Sequence, residues 1–274
     1  MIVGMVPETG GGIQRIIHQI WIGTNPMPNL WMDSVKDFAA KYNYEYKLWT
    51  DGNITDMHMS PELRAEYESF NGEFAGRADI IRLIALNMYG GIYIDADSVI
   101  MKPEKFAKFL DENKASVFFA WEEMGMNIGN INATLTGQRC LIANGTIGAR
   151  KGHAFIEKLI MHIVDNSKTT TNKTAWKRVG PLYVTRMYMK HKKEFPDIHI
   201  YPMKYFYPLK WHGITDPELH KKVDIPEESM LFQYGYSTNK FANIFAKRNS
   251  KGGGSRKRLR NRKRKGRRTR KNLN

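Results

Sequence analysis

The sequence predicts an α/β fold in which helices flank a mostly parallel central sheet. Short apolar runs typical of strands alternate along the chain with longer segments of helical periodicity. One helix, from about residue 74 to residue 88, is apolar almost all round and is followed by Gly90-Gly91 and a short apolar strand. The chain has 274 residues, of which 42% are hydrophobic, and this is enough to bury a substantial core.

Local signals predict the elements in chain order. Asn29 is a candidate cap for the first helix, and Ser60-Pro61-Glu62 combines a capping residue, a proline at the first helical position and an early acid. Asn144-Gly145 predicts an interruption of a strand. The predicted strands are 13–22, 44–49, 92–94, 99–101, 116–121, 141–149, 198–203 and 230–234; the predicted helices are 30–42, one opening at 60, 74–88, 103–110, 153–165 and 182–192.

Positive charge is concentrated at the end of the chain. The formal net charge is +16, but residues 251–274 contain thirteen Lys or Arg and no acid, whereas the rest of the chain has 30 basic and 27 acidic residues. A Gly/Ser-rich linker separates the two parts. We therefore expect a folded domain over residues 1–249 and a disordered linker with a polybasic tail over 250–274. Such a tail can contact nucleic acid or an anionic membrane.

The composition disfavours secreted and membrane-spanning proteins. The single cysteine, Cys140, excludes an intramolecular disulfide. No apolar run approaches the ~20 residues of a transmembrane helix, and the N-terminus lacks the pattern of a signal peptide. These observations predict an intracellular, soluble protein that is cytoplasmic or is directed by its tail to the nucleus, the nucleolus or an anionic surface.

Two carboxylates, Asp95 and Asp97, follow the strand predicted at 92–94. Residues two apart on a strand point to one face, so we expect both carboxylates to converge while Ala96 packs on the other side. Close carboxylates repel each other unless a cation lies between them or one is protonated. Their oxygens suit Mg²⁺ or Mn²⁺, which complete their shells with phosphate oxygens and water. A metal–phosphate site and a solvated strand end both remain open at this point.

A second charged pair, Asp79 and Arg82, lies in the apolar helix that precedes these acids. The two residues are three apart and therefore share a face. Charges in such a helix are costly unless they are paired or bound to a ligand. Two interpretations remain open: a structural ion pair, or ligand contacts in which Asp79 accepts from hydroxyls and Arg82 donates to a phosphate or sugar oxygen.

The segment from Arg77 to Asp97 resembles the core signature of the glycosyltransferases with the Asp-x-Asp sugar-binding motif. That family includes yeast-type initiating α-mannosyltransferases (family 32 type) and is distantly similar to the glucosylating clostridial toxins. The run His18-Gln19-Ile20-Trp21 resembles the family's first strand. Weaker similarities extend the resemblance over residues 13–240; they are Asn144, Gly180-Pro181-Leu182, Tyr201-Pro202 and Tyr207-Pro208.

The resemblance implies a single-domain nucleotide-sugar transferase fold of the GT-A type, with a Rossmann-like half. It implies transfer of a hexosyl group from a UDP- or GDP-linked sugar to a hydroxyl acceptor on a glycan, lipid or protein, with retention at the anomeric carbon. The implied cofactor is Mn²⁺ or Mg²⁺, with Asp97 as the direct ligand and Asp95 beside it.

The resemblance also implies a role for each matching residue. The catalytic set is Asp95, Asp97 and Arg82. Trp21, which by pattern alone is better interpreted as a core residue at a strand end, would by the resemblance stack on the nucleobase. The remaining donor contacts would be Asp95 to ribose and sugar, directly or through water, Asp79 and Arg82 to sugar hydroxyls, Tyr93 to ribose or sugar, and Asn144.

One segment departs from the family pattern. Many members carry a segment like His-His-x-x-Gly-Ser-Trp that closes over the metal and the diphosphate. This chain has Leu-Phe-Gln-Tyr-Gly-Tyr-Ser-Thr over residues 231–238, without His or Trp. The third metal ligand is therefore open, with Gln233 and Ser237 as candidates and Tyr236 as a further source of oxygen.

Retention at the anomeric carbon needs either a carboxylate nucleophile or attack by the acceptor on the leaving-group face. Glu122, Glu123 and Asn144 lie at predicted strand ends and are interpreted as turn or positioning residues. The sequence therefore favours same-face attack, with the departing phosphate taking the acceptor's proton.

Two alternative functions remain. Asp95-Ala96-Asp97-Ser98-Val99 also fits the haloacid-dehalogenase phosphatases, in which Asp95 would be phosphorylated, although the further acidic pair of that class is missing. A non-catalytic nucleic-acid-binding protein that acts through its basic tail is the second alternative.

Overall fold

The structure is a computed structural model that describes residues 12–123, 140–170, 174–209 and 213–248. The boundary predicted at 249/250 and the basic tail lie outside these residues. The strands are β1 (Ile16–Ile20), β2 (Glu45–Trp49), β3 (Gly91–Ile94), β4 (Ser98–Ile100), β5 (Val117–Glu123), β6 (Cys140–Ala149), β7 (Ile198–Tyr201) and β8 (Leu231–Gln233). The helices are α1 (Asn29–Lys41), α2 (Pro61–Ser69), α3 (Phe74–Tyr89), α4 (Pro103–Glu112), α5 (Ala154–Thr169), α6 (Ala175–Arg178), α7 (Pro181–His191) and α8 (242–248).

A six-stranded sheet in the order β2-β1-β3-β6-β5-β7 forms the centre of the described part of the chain. β1 pairs in parallel with β2 and β3, and β5 pairs in parallel with β7. β6 is antiparallel to both of its neighbours, β3 and β5. The predicted α/β class with a mostly parallel sheet is thereby confirmed. β4 and β8 form a separate antiparallel pair beside the sheet.

Helices cover both faces of the sheet because its central strands are apolar on both sides. In β5, Phe118 packs against α1 and α4, whereas Phe119 packs against α3, α5 and α7. In β3, Ile94 faces α1 and α4 and Tyr93 faces α3 in the same alternation. The phenol ring of Tyr93 is thereby directed at the helix that carries the charged pair. Within the described ranges, none of the helices has the length and apolar character needed to span a bilayer.

Two glycines connect α3 to β3. Gly90 takes φ +66°, ends the helix and donates its N–H to the Leu86 carbonyl at 2.8 Å. Gly91 takes φ +100°, and a Cβ there would lie 2.4 Å from the Ile16 carbonyl oxygen. Only glycine allows β3 to approach β1 this closely, so the Gly-Gly pair sets where the acids after β3 emerge.

The structure confirms one of the two predicted helix caps and relocates the predicted strand break. Ser60 caps α2, because its Oγ accepts the Leu63 N–H at 3.2 Å. Asn29 does not cap α1: the helix begins at Asn29, and the carbonyl of Pro28 accepts the first N–H groups instead. The predicted break at Asn144-Gly145 is wrong for the strand itself, since β6 is continuous. The irregularity lies in the ladder, where the β5–β6 register shifts across these residues.

Candidate active site

Asp95-Ala96-Asp97 forms the turn between β3 and β4, so the expectation that both acids lie on a strand is wrong. The chain changes partner strand here: Asp95 N–H donates to the Gly145 carbonyl in β6 at 2.7 Å, and the Asp97 carbonyl accepts from Tyr234 N–H just after β8 at 2.9 Å. The carboxylates nevertheless converge. Gln233 Nε2 lies 2.7 Å from Asp95 Oδ2 and 3.4 Å from Asp97 Oδ1.

Arg82 connects three elements beneath this turn. Its Nη2 lies 2.9 Å from Asp79 Oδ1 on the same helix face, and its Nη1 lies 3.3 Å from Asp95 Oδ1. Nη1 also donates to the Asn144 carbonyl, and Nε donates to the Ala78 carbonyl at 3.3 Å. All three guanidinium nitrogens are therefore engaged, and the side chain is only 6% exposed. The interpretation of Asp79 and Arg82 as an ion pair is confirmed.

The other members of this network are also buried. Asn144 Nδ2 donates to Asp79 Oδ1 at 2.9 Å. Tyr93, 1% exposed, donates its hydroxyl to Asp95 Oδ1 at 2.6 Å, and its ring lies 4.4 Å from the Arg82 guanidinium carbon. Tyr93 on β3 and Arg82 on α3 thus hold the Asp95 carboxylate from behind, and Asn144 on β6 holds the Asp79–Arg82 pair.

Asp97 is bound from the other side of the turn. The backbone N–H of Tyr236 donates to Asp97 Oδ2 at 2.7 Å. Burial, with a further contribution from Asp95, raises the pKa of Asp97 to about 7. Burial likewise raises the pKa of Asp79 to about 6, although Arg82 opposes the rise. In both cases, burial disfavours the ionised form of the carboxyl group.

The charges of the site match a divalent cation. Three carboxylates (Asp79, Asp95 and Asp97) face one guanidinium (Arg82), which leaves an excess of two negative charges when all are ionised. Carboxylate and amide oxygens form the hard donor set that Mg²⁺ and Mn²⁺ prefer. Among the described residues, no group of three or more His, Cys, Asp or Glu side chains is placed to hold a metal. A cation at Asp95 and Asp97 would therefore complete its shell with an amide, a hydroxyl or ligand oxygens.

A cleft of about 210 Å³ opens in front of the two acids. Gly145 forms part of its floor: a Cβ there would lie 2.6 Å from Asp95 Oδ2 and 3.1 Å from Gln233 Nε2. The absence of a side chain keeps the space beside the carboxylates open. The lining residues are Asp95, Asp97, Glu122, Ala143, Asn144, Gly145, Pro181, Gln233, Gly235, Ser237 and Thr238.

Other residues singled out by sequence fall around this cleft. Ser237 is exposed and lines it. Trp21 does not line it, but its ring packs edge-on against Tyr236 at 4.9 Å, and its Nε1 donates to the Asn25 carbonyl at 3.0 Å. Glu122 lines the far wall, and the side chain of Glu123 lies outside the described residues.

Some groups at the site were not identified from the sequence. Gln19 is fully buried, and its Nε2 donates to the Asp95 carbonyl at 3.3 Å. The Tyr236 contact uses backbone and so has no signature in side-chain chemistry. Gln19 had one usable signal, since an amide in the apolar run at 16–22 needs a buried partner.

The proteins that this chain is similar to are glycosyltransferases. Residues 28–116 match the family model described as "Glycosyltransferase sugar-binding region containing DXD motif". The chain is 27% identical over 220 residues to inositol phosphoceramide mannosyltransferase 3 of Schizosaccharomyces pombe, covering 77% of this chain and 52% of that protein. It is 26% identical over 209 residues to an uncharacterized glycosyltransferase of Acanthamoeba polyphaga mimivirus, covering 73% of this chain and 75% of that protein.

The chain spans about half the length of the first two fission-yeast relatives. Among solved structures, it resembles the PaToxG glycosyltransferase with a TM-score of 0.48 and 21% identity, covering 67% of this chain and 70% of that one. The UDP-bound glycosyltransferase domain of the YGT toxin has a TM-score of 0.45 and 10% identity, covering 70% and 80%. Residues 28–116 therefore match the sugar-binding region of the DXD glycosyltransferases, and the DXD motif of the match is here Asp95-Ala96-Asp97.

Proposed function

We propose that the protein transfers a sugar from a nucleoside-diphosphate donor to a hydroxyl acceptor and that this activity depends on Mn²⁺ or Mg²⁺. One observation carries the proposal: the DXD carboxylates converge at a cleft where three ionised acids exceed the one guanidinium by two charges, and burial raises the pKa of Asp97 against that ionised state. A divalent cation relieves that excess and, once bound, neutralises the charge that develops on the departing diphosphate. Asp97 and Asp95 would hold it, with Gln233 or Ser237 as a further ligand.

Asp95 has two roles in this proposal, one for each oxygen. Oδ1 is bound by Tyr93 and Arg82, whereas Oδ2 is directed to Gln233 and the cleft. Arg82 contributes fixed positive charge behind the acids. Asn144 lines the cleft and would contact donor hydroxyls, with Asp79 behind it accepting from Asn144 Nδ2. Trp21 would stack on the nucleobase beyond Tyr236.

The relatives narrow the proposed donor and acceptor. Fission-yeast proteins similar to this chain are named inositol phosphoceramide mannosyltransferases, and a Saccharomyces cerevisiae protein 39% identical over 88 residues (31% of this chain, 23% of that protein) is named a mannosyl phosphorylinositol ceramide synthase. We therefore propose a mannosyl group as the first sugar to test and a hydroxyl on a phosphorylated polyol or glycan as acceptor. GDP and UDP remain the two candidate carriers.

We propose that transfer retains the anomeric configuration by same-face attack. Glu122 is the one ionisable cleft-lining residue outside the DXD motif among those described. It lies on β5 across from the DXD turn, a position suited to orienting an acceptor hydroxyl. The departing phosphate then takes the acceptor's proton.

A phosphatase reaction at Asp95 fits less well. A phosphorylated carboxylate needs a free oxygen with room for in-line attack. Here Oδ1 is held by Tyr93 and Arg82, and Oδ2 meets an amide that also lies beside Asp97, an arrangement that suits a cation shared by the two acids better than in-line attack on phosphorus.

We further propose that residues 1–249 form the catalytic unit and that the basic segment within 250–274 acts as an arm inside the cell, bringing that unit to an anionic surface such as a membrane or nucleic acid. A chain truncated after Lys247 should keep its rate with a soluble acceptor. Loss of that rate would contradict this division.

The function is tested by a thermal-shift screen of the full chain with UDP- and GDP-sugars, with and without Mn²⁺. A donor that binds only the folded state, present at a concentration of about 100 times its Kd, raises the free energy of unfolding by ~2.7 kcal/mol. We expect one donor to stabilise the protein only when metal is present. If no nucleotide sugar stabilises it under either condition, the proposed function is wrong.

A further inference from the structure

Tyr93 is a polar side chain buried at the centre of the site. It lies on β3 with 1% of its surface exposed, and its ring faces α3. The resemblance to the family implied a contact with ribose or sugar. The structure instead directs the hydroxyl at a protein group, since it donates to Asp95 Oδ1 at 2.6 Å.

The ring of Tyr93 has a separate partner. The guanidinium of Arg82 lies 4.4 Å from the ring centroid, within the range of a cation–π contact. Arg82 Nη1 in turn lies 3.3 Å from Asp95 Oδ1. The ring face of Tyr93 thus contacts the Arg82 guanidinium, and its hydroxyl binds Asp95 Oδ1, the same oxygen that Arg82 contacts.

These contacts determine the direction of the second Asp95 oxygen. Rotation of an aspartate carboxylate about its last torsion is weakly restricted, so an isolated carboxylate has no fixed aim. With Oδ1 held by Tyr93 and Arg82, Oδ2 is directed to the cleft side, 2.7 Å from Gln233 Nε2 and next to Asp97. We infer that Tyr93 is a positioning residue, which acts on cation and donor by holding the Asp95 carboxylate in this orientation and does not touch the donor itself.

The inference rests on the proposed function, because it concerns how the site presents its oxygens to a cation. Groups behind metal ligands typically cost ~10–100-fold in metal affinity or activity when they are lost. Removing only the hydroxyl is the sharpest test. Tyr93→Phe keeps the ring under Arg82 and deletes the bond to Asp95.

Tyr183→Phe is the matched control. Tyr183 is also 1% exposed, and its hydroxyl donates to the Leu159 carbonyl at 2.5 Å, away from the cleft. Both variants lose one buried tyrosine hydroxyl bond, so a general effect on stability appears in both thermal midpoints. A positioning role at the site predicts that metal affinity falls in Tyr93→Phe and does not change in Tyr183→Phe.

The first readout is Mn²⁺ affinity of the full chain without donor, measured by electron paramagnetic resonance titration. We expect Tyr93→Phe to bind Mn²⁺ ~10–100-fold more weakly than wild type and Tyr183→Phe to match wild type. In sugar transfer at saturating metal, kcat should fall while KM for the donor stays within a factor of about two. Unchanged Mn²⁺ affinity with a raised donor KM would mean that Tyr93 touches the donor, and would overturn the inference.

The second readout does not depend on metal or activity. In a metal-free crystal structure of Tyr93→Phe, we expect the Asp95 carboxylate to rotate so that Oδ2 no longer meets Gln233. An Asp95 carboxylate in its wild-type orientation would overturn the inference. Failure of wild type to bind Mn²⁺ would count against the proposed function, and this crystal structure would then decide the role of Tyr93 alone.

Discussion

Gln233 donates from Nε2 to Asp95 Oδ2 at 2.7 Å, and the same nitrogen lies 3.4 Å from Asp97 Oδ1. A neutral amide donor thus lies between two carboxylates, in the position that a cation would take. The same amide carries an acceptor oxygen, so a half-turn about its last torsion would present Oε1 in place of the N–H groups. When a cation binds, Gln233 must therefore turn or withdraw.

Two substitutions of Gln233 should change the affinity for Mn²⁺ in opposite directions. Gln233→Leu removes the amide oxygen and should weaken Mn²⁺ binding by about tenfold or more, whereas Gln233→Glu adds a carboxylate and should strengthen it. Isothermal titration with Mn²⁺ measures both. Wild-type affinity in Gln233→Leu would exclude Gln233 as a ligand and leave Ser237 as the candidate.

Asp97→Asn should abolish sugar transfer without unfolding the protein. Its backbone contact with Tyr234 does not involve the side chain, so the turn is retained. We expect the rate to fall by more than ~100-fold, since even groups behind metal ligands cost ~10–100-fold. Asp111→Asn, at an exposed ion pair with Arg15, is the control and should keep the wild-type rate. Wild-type turnover at saturating metal would show that Asp97 is no ligand.

The raised pKa of Asp97 predicts a specific dependence on pH. The pKa rises from an ordinary 3.8 to about 7, so the folded, metal-free protein holds a proton that the unfolded chain has lost. This contribution to the free energy of unfolding is complete below about pH 4 and is lost as the pH rises to about 7. Asp97→Asn cannot lose a proton there and should gain stability relative to wild type across that window.

Urea unfolding in EDTA at several pH values between 4 and 8 checks this dependence. The difference between variant and wild type cancels the effects of Asp79 and His18, whose pKa values are also shifted. A difference that does not vary with pH would contradict the assignment. Mn²⁺ affinity should fall by about tenfold per pH unit below 7, because metal and proton compete for the same oxygens.

Gly145→Ala should inactivate the site by a steric clash, without any change of charge. The added methyl would lie 2.6 Å from Asp95 Oδ2, so the carboxylate or the strand must shift. We expect a loss of ~1–3 kcal/mol in the free energy of unfolding, typical of overpacking, together with loss of sugar transfer. Gly52→Ala is the control: its Cβ meets only Thr50 Oγ1 at 3.7 Å, and its φ is ordinary. Equal activity in the two variants would be inconsistent with this packing.

Arg82→Met should be strongly destabilising because it leaves the buried carboxylate of Asp79 and the half-buried carboxylate of Asp95 without the guanidinium. Removing one partner of a buried ion pair costs ~3–5 kcal/mol. The same replacement at Lys41, in an exposed pair with Glu104, should cost at most about 1 kcal/mol. Chemical unfolding at pH 8 compares the two variants. A similar small loss in both would mean that Asp79 takes up a proton and compensates.

Much of the fold was predictable because its strands and helices are marked by local patterns. The apolar run of α3, the Gly90-Gly91 end of the helix and the short strand β3 all appear where the sequence places them. The reversal of β6 was not predictable, because antiparallel and parallel buried strands have the same apolar pattern. The turn at Asp95 forms because the backbone bonds to β6 before the turn and to the end of β8 after it. Both partners are distant in sequence, so no local pattern marks the turn.

The site was predictable where residues are close in sequence. Asp79 and Arg82 pair as their spacing indicates, and Asp95 joins them. The exact partner of each group was not predictable. Tyr93 binds Asp95, and Asn144 binds Asp79, through contacts that no motif specifies.

The bond between Gln233 and Asp95 spans 138 positions of sequence, and the matched sugar-binding region ends at residue 116. Closing so large a loop is an entropic cost that early contacts do not offset. During synthesis, Asp95 and Asp97 leave the ribosome well before Gln233, their partner on β8. A nascent chain therefore exposes a repelling pair of acids until residues 233–236 arrive, and capture of a free metal ion in that interval would favour completion of the fold.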